Sequence, residues 1–191
     1  VDNIWAGTAA MVKNDGSCTN EEAFWKVFYQ IYGPEARKDR PVIDAFYTEE
    51  FNQAQAACGF VPGAAEVVAQ LKAAGKTVIL ATNPIFPKAA TENRIRWAGL
   101  EPEDFLLYTT YENCRFCKPN PKYYEEVLQK IGRRPEECVM VGNDAGEDGA
   151  AAALGIPVFL LTDCLINRQG ADLSAYPQGG FPELKEYLAR L

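Results

Sequence analysis

The 191-residue chain contains no histidine. That absence excludes Ser-His and Cys-His nucleophile pairs, imidazole acid/base catalysis and histidine-ligated zinc. Any chemistry must come from carboxylates, Lys, Ser, Thr, Cys or a hard metal held by carboxylates. Nor does any apolar run approach the ~20 residues that span a bilayer, and Val1-Asp2-Asn3-Ile4-Trp5 has none of the grammar of a signal peptide. Positive charge is scarce: 19 Lys+Arg face 26 Asp+Glu, for a net charge of −7 and a pI near 4.8. With no basic run, neither nucleic acid nor a membrane surface is expected as a partner. The six cysteines, at positions 18, 58, 114, 117, 138 and 164, are scattered. They are expected to be reduced thiols of a cytoplasmic protein, since a chain this long can bury a core without a disulfide framework. Val1 stands where an initiator Met would, so the natural start is expected further upstream.

Residues 1–59 read as helical. Thr19-Asn20-Glu21-Glu22 is a capping box, followed by Phe24, Val27, Phe28 and Ile31 at helical spacing. Gly33-Pro34 stops that helix. A second helix is predicted from about Pro41 to Cys58, with Val42, Ile43, Phe46 and Phe51 on one face, and residues 1–12 can form another. After Pro62-Gly63 helices and short β-rich runs alternate. Helices are expected at 64–74, 87–98, 121–131, 146–154 and 182–190, and strands at 77–81, 105–110, 138–141 and 158–161. Such alternation predicts an α/β fold with a doubly wound, Rossmann-like parallel sheet over 60–191, carrying a small helical cap over 1–59.

Chemistry in such sheets gathers at the carboxyl ends of strands, where three polar clusters fall. Thr82 and Asn83 close the strand at 77–81; their hydroxyl and backbone N–H groups suit an anionic oxygen, although Thr-Asn before Pro84 also suits a plain turn. Lys118-Pro119-Asn120-Pro121 opens a helix, where a cation and the helix dipole both favour an anion; a solvated Lys is the alternative. Gly142-Asn143-Asp144 follows a buried strand, and Asp144 and Asp148 stand four residues apart. That spacing suits Mg²⁺, against the alternative of carboxylates that only complement a helix N-terminus.

The three clusters, in this order, resemble the haloacid dehalogenase superfamily of hydrolases. Thr82 is similar to the family's second motif, Lys118 to its third, and Gly142-Asn143-Asp144 with Asp148 to its fourth. The resemblance covers 62–165, and 1–59 looks like the helical cap of one subgroup. It implies a Mg²⁺-dependent hydrolase of a small soluble phosphate ester acting through an aspartyl-phosphate. Thr82, Asn83 and Lys118 would bind phosphate, Thr82 and Lys118 would serve catalysis, and Asp144 and Asp148 would hold the metal.

The family's first motif, a strand ending in D-x-D-G-T that carries the nucleophile, is absent. In the nearest string, Met11-Val12-Lys13-Asn14-Asp15-Gly16-Ser17, Lys13 stands in the nucleophile's place. The nucleophile is therefore expected in a segment upstream of this chain, on a strand between those at 77–81 and 138–141. A catalytically inactive binding protein and a dehalogenase remain as alternatives, and the chain alone is expected to be inactive. Cys114-Arg115-Phe116-Cys117 reads as incidental thiols, since no second pair exists to complete a zinc site. Trp5, Trp25, Tyr29 and Tyr47 read as cap core.

Overall fold

The computed structural model describes residues 2–191, with side chains from Ile4 onward. The chain divides into two compact units, 1–117 and 118–191. The change of sequence grammar at 59/60 thus falls inside the first unit.

The first unit begins with α1 (Asp2–Val12) and α2 (Asn20–Tyr32). The capping box that starts α2 is formed: Thr19 Oγ1 accepts from the Glu22 N–H at 3.2 Å, and the Glu22 carboxylate accepts from the Thr19 N–H at 2.8 Å. Helix α3 (Arg40–Thr48) stops earlier than its sequence pattern suggests, and Glu50–Ala57 winds on as 3₁₀ helix. The expected common face is accordingly split. Ile43 packs against Trp25, Phe28 and Ala36, whereas the Phe51 ring stacks on Trp97 at 5.1 Å and Val42 is exposed. Trp25 is buried as a core residue should be, but Trp5 is 65% exposed and is not core.

Helix α4 (Pro62–Ala73), β1 (Ile79–Leu80), α5 (Lys88–Trp97) and β2 (Leu107–Tyr108) complete this unit. β1 and β2 pair in parallel, Ile79 opposite Leu107. Flanking bonds from Leu106 N–H to Val78 C=O and from Thr109 N–H to Leu80 C=O extend the ladder by one step at each end. Both strands are shorter than expected, and among the described residues β1 has a strand partner on one side only.

The second unit contains α6 (Pro121–Ile131), β3 (Met140–Gly142), β4 (Val158–Leu161), β5 (Gln178–Gly179) and α7 (Phe181–Leu188). The strand order β3-β4-β5 is parallel throughout, and the outer edge of β3 takes no strand among the described residues. Asn120 caps α6 by accepting from the Lys122 N–H, Pro121 fills the first helical position, and Gly132 ends it at φ 63°, a left-handed conformation that favours glycine. Tyr123, Tyr124, Val127 and Leu128 form its buried face, and Val158, Phe159, Leu160 and Leu184 are buried in the same unit. The helix expected at 146–154 is a 3₁₀ segment, Gly149–Leu154. No helix among the described residues is long and apolar enough to cross a membrane, and no disulfide forms among them.

Candidate active site

In the second unit the site is built on the end of β3. Lys118 and Asp148, thirty residues apart in sequence, form a buried ion pair with Nζ 2.6 Å from Oδ1. The other carboxylate oxygen of Asp148 accepts the backbone N–H groups of Asn143 and Asp144 at 2.9 and 3.0 Å. One side chain thereby ties the lysine to the loop that follows the strand. Space for it exists because residue 142 is glycine: a Cβ there would overlap the Asp148 carboxylate.

Asp144 folds the same loop from the other direction. Its Oδ1 accepts from Gly146 and Glu147 N–H, both at 2.9 Å, while its backbone C=O accepts from Asp148 N–H at 2.8 Å. These local bonds fix the turn that leads into the 3₁₀ segment Gly149–Leu154. Asn143 is anchored outward, its Nδ2 donating to Cys164 C=O at 2.7 Å.

Two tyrosines escaped notice as site residues. The rings of Tyr123 and Tyr124 lie 5.7 and 5.9 Å from Lys118 Nζ, within cation–π range. The Tyr124 hydroxyl donates to Glu147 C=O at 2.6 Å. Burial, reinforced by the Asp148, Glu147 and Asp144 carboxylates, pushes the Tyr124 phenol well above its ordinary value, so it remains a donor. Tyr124 lies on the buried face of α6.

Thr82 and Asn83 belong to the first unit, just beyond the carboxyl end of β1, and both are half-buried. Thr109 Oγ1 donates to the Thr82 C=O at 2.7 Å, and the Asn83 C=O accepts from Ile85 N–H at 2.9 Å, fixing the turn. Of the predicted residues, the structure brings together Lys118, Asp144 and Asp148 in one unit and places Thr82 and Asn83 together in the other.

Mg²⁺ would find one available carboxylate oxygen here. Asp144 offers Oδ2, a hard carboxylate oxygen with no hydrogen bond among the described residues, which fits an ion that takes one or two carboxylates and keeps several waters. Both oxygens of Asp148 are already engaged. No group of three or more Cys, Asp or Glu that could hold a metal converges among the described residues.

Residues 12–155 match the sequence model of the haloacid dehalogenase-like hydrolases, and the chain belongs to that family. It is 29% identical over 115 residues to (S)-2-haloacid dehalogenase 4A from Burkholderia cepacia, which covers 57% of this chain and 44% of that protein. The fold is similar to CbbY from Rhodobacter sphaeroides, crystallised with phosphate (TM-score 0.57, 23% identity, 72% of this chain and 62% of that one). It is also similar to a predicted phosphoglycolate phosphatase from Haemophilus somnus (TM-score 0.59, 16% identity, 98% and 91%). The chain spans less than half the length of its dehalogenase relative.

Proposed function

We propose that the protein is a phosphomonoesterase of small soluble phosphate esters, working with Mg²⁺ in the cytoplasm. The observation that carries this reading is the division of labour between Asp144 and Asp148. Asp148 is spent on ordering Lys118 and the loop, so of the two it is Asp144 that has an oxygen to offer an ion. Mg²⁺ held there would offset phosphoryl charge as a Lewis acid.

Lys118 supplies positive charge from a buried position where it is worth more than in water. Thr82 and Asn83 offer a hydroxyl and turn N–H groups for phosphoryl oxygens. No D-x-D-G-T string, which would carry the attacking carboxylate, occurs in the 191 residues. In that chemistry the carboxylate oxygen attacks phosphorus, the ester oxygen leaves, and water then cleaves the acyl phosphate.

A dehalogenase is the second reading, favoured by the Burkholderia relative. It needs no metal, so it gives Asp144 Oδ2 no role. The test is a paired assay on protein expressed from the whole coding region, measuring orthophosphate from p-nitrophenyl phosphate and chloride from 2-chloropropionate, each with Mg²⁺ and with EDTA. Mg²⁺-dependent phosphate release without chloride release is expected. Metal-independent chloride release alone would replace this reading with the dehalogenase.

A further inference from the structure

One side chain ties the start of α2 to the rest of the first unit. Asn20, the first residue of that helix, is fully buried, and its amide engages three separate segments. Nδ2 donates to the Pro84 C=O at 3.1 Å and to Cys117 Sγ at 3.3 Å. Oδ1 accepts from Asn14 Nδ2 at 3.0 Å. The backbone is held as well: the Asn20 N–H donates to Cys114 C=O at 2.8 Å, and the Glu21 N–H to Tyr111 C=O at 2.9 Å.

The helix start itself does not call for this arrangement, because Thr19 and Glu22 already complete the capping box. A primary amide is costly to bury unless its hydrogen bonds are made, and here donor and acceptor are both engaged. What the arrangement secures is the Pro84 C=O, 64 residues away in sequence.

Pro84 closes the turn that carries Thr82 and Asn83. Three consecutive carbonyls of that turn are held from three directions. Thr109 Oγ1 holds Thr82 C=O at 2.7 Å, Ile85 N–H holds Asn83 C=O at 2.9 Å, and Asn20 Nδ2 holds Pro84 C=O. Each carbonyl shares a rigid peptide plane with the next nitrogen. Holding Thr82 C=O therefore orients the Asn83 N–H, and holding Pro84 C=O fixes the limb by which the turn leaves.

Resting on the phosphomonoesterase reading, we propose that Asn20 is a positioning residue for phosphate: from α2 it holds the Thr82–Asn83 turn in the shape that receives a phosphoryl oxygen. Groups held in place beforehand need not be ordered at the moment of binding. Without Asn20 Nδ2 the turn keeps Thr109 and its internal bond but loses its downstream anchor, so phosphate itself must order that limb.

The experiment titrates the ¹⁵N-labelled 191-residue chain with inorganic phosphate in the presence of Mg²⁺ and follows the Thr82 and Asn83 amide shifts. Asn20→Ala removes the downstream anchor, and Thr109→Val removes the hydroxyl on Thr82 C=O. Two controls disturb the same neighbourhood without releasing Pro84. Asn14→Ala deletes the bonds to Cys18 C=O and Asn20 Oδ1, and Cys117→Ala deletes the other acceptor of Asn20 Nδ2.

Half-saturation should need about fivefold more phosphate in Asn20→Ala and in Thr109→Val, the factor that one hydrogen bond supplies. It should stay within about twofold of wild type in both controls. Ordering and binding are linked, so saturating phosphate should slow Ile85 amide exchange more in Asn20→Ala than in wild type. A purely structural asparagine would lower the melting temperature without creating that difference. Should Asn20→Ala fail to fold, Asn20→Ser, whose hydroxyl is too short to reach Pro84 C=O, gives the same comparison.

Wild-type affinity in the Asn20 variant, or an equal loss in Asn14→Ala or Cys117→Ala, overturns the role of Asn20 and leaves the phosphatase reading standing. No phosphate-dependent shift at Thr82 or Asn83 in the wild-type chain overturns that reading, and the assignment with it.

Discussion

Lys118 Nζ lies 2.6 Å from Asp148 Oδ1, and both side chains are more than 90% buried. A buried pair of this kind contributes little net stability compared with apolar residues of the same shape, but losing one partner strands a charge. Lys118→Met or Asp148→Asn should each destabilise the chain by about 3–5 kcal/mol, with the double substitution costing less than the sum of the two. Urea denaturation of the three variants measures this. Strict additivity would mean that the two groups do not depend on each other.

Gly142→Ala places a methyl group against the Asp148 carboxylate, whose neighbours on both oxygens prevent retreat. The expected cost is about 1–3 kcal/mol, the usual range for overpacking. In an Asp148→Ala background the same substitution should be nearly neutral, as thermal melts of both pairs would show.

Tyr124→Phe keeps the ring beside Lys118 and removes the hydroxyl that holds Glu147 C=O. A loss of about 1 kcal/mol is expected, typical of one buried hydrogen bond. Faster amide exchange should be confined to the 143–148 loop. Unchanged exchange there would show that the hydroxyl does not secure the loop.

The chain's alkaline behaviour follows from Tyr108, Tyr111 and Tyr124, whose phenols are all raised above the ordinary value of 10.0, chiefly by burial. A raised folded value means that the folded state holds its proton longer than the unfolded one. The associated stability is full below pH 10 and falls as pH rises above it. Absorbance at 295 nm should show these phenols, and that of Tyr47, which burial also raises, ionising above the ordinary tyrosine range. Nine phenols titrating normally before the transition would contradict their burial.

The sequence displays local devices more clearly than it displays meetings. The capping box at Thr19, the Asn120-Pro121 start of α6 and the apolar run of β4 are short-range patterns, and each appears where it was read. β5 was invisible because Gln178–Gly179 has neither length nor alternation. The expected helix at 146–154 appears only as a 3₁₀ segment, Gly149–Leu154. At the site, Lys118, Asp144 and Asp148 were legible by type and spacing. That Asp148 would turn to the lysine, thirty residues away, depends on tertiary packing. The same holds for Glu112, which accepts the Lys88 N–H across 24 residues.

In the proposed reading Lys118 and Asp144 stabilise a bound phosphate. A ³¹P titration of orthophosphate into the 191-residue chain, with and without Mg²⁺, tests it most directly. Saturable line broadening is predicted, strengthened by Mg²⁺, weakened by Thr82→Val and by Lys118→Arg, and made insensitive to Mg²⁺ by Asp144→Asn. No broadening with the wild-type chain, or broadening that none of the three substitutions alters, would contradict the claim.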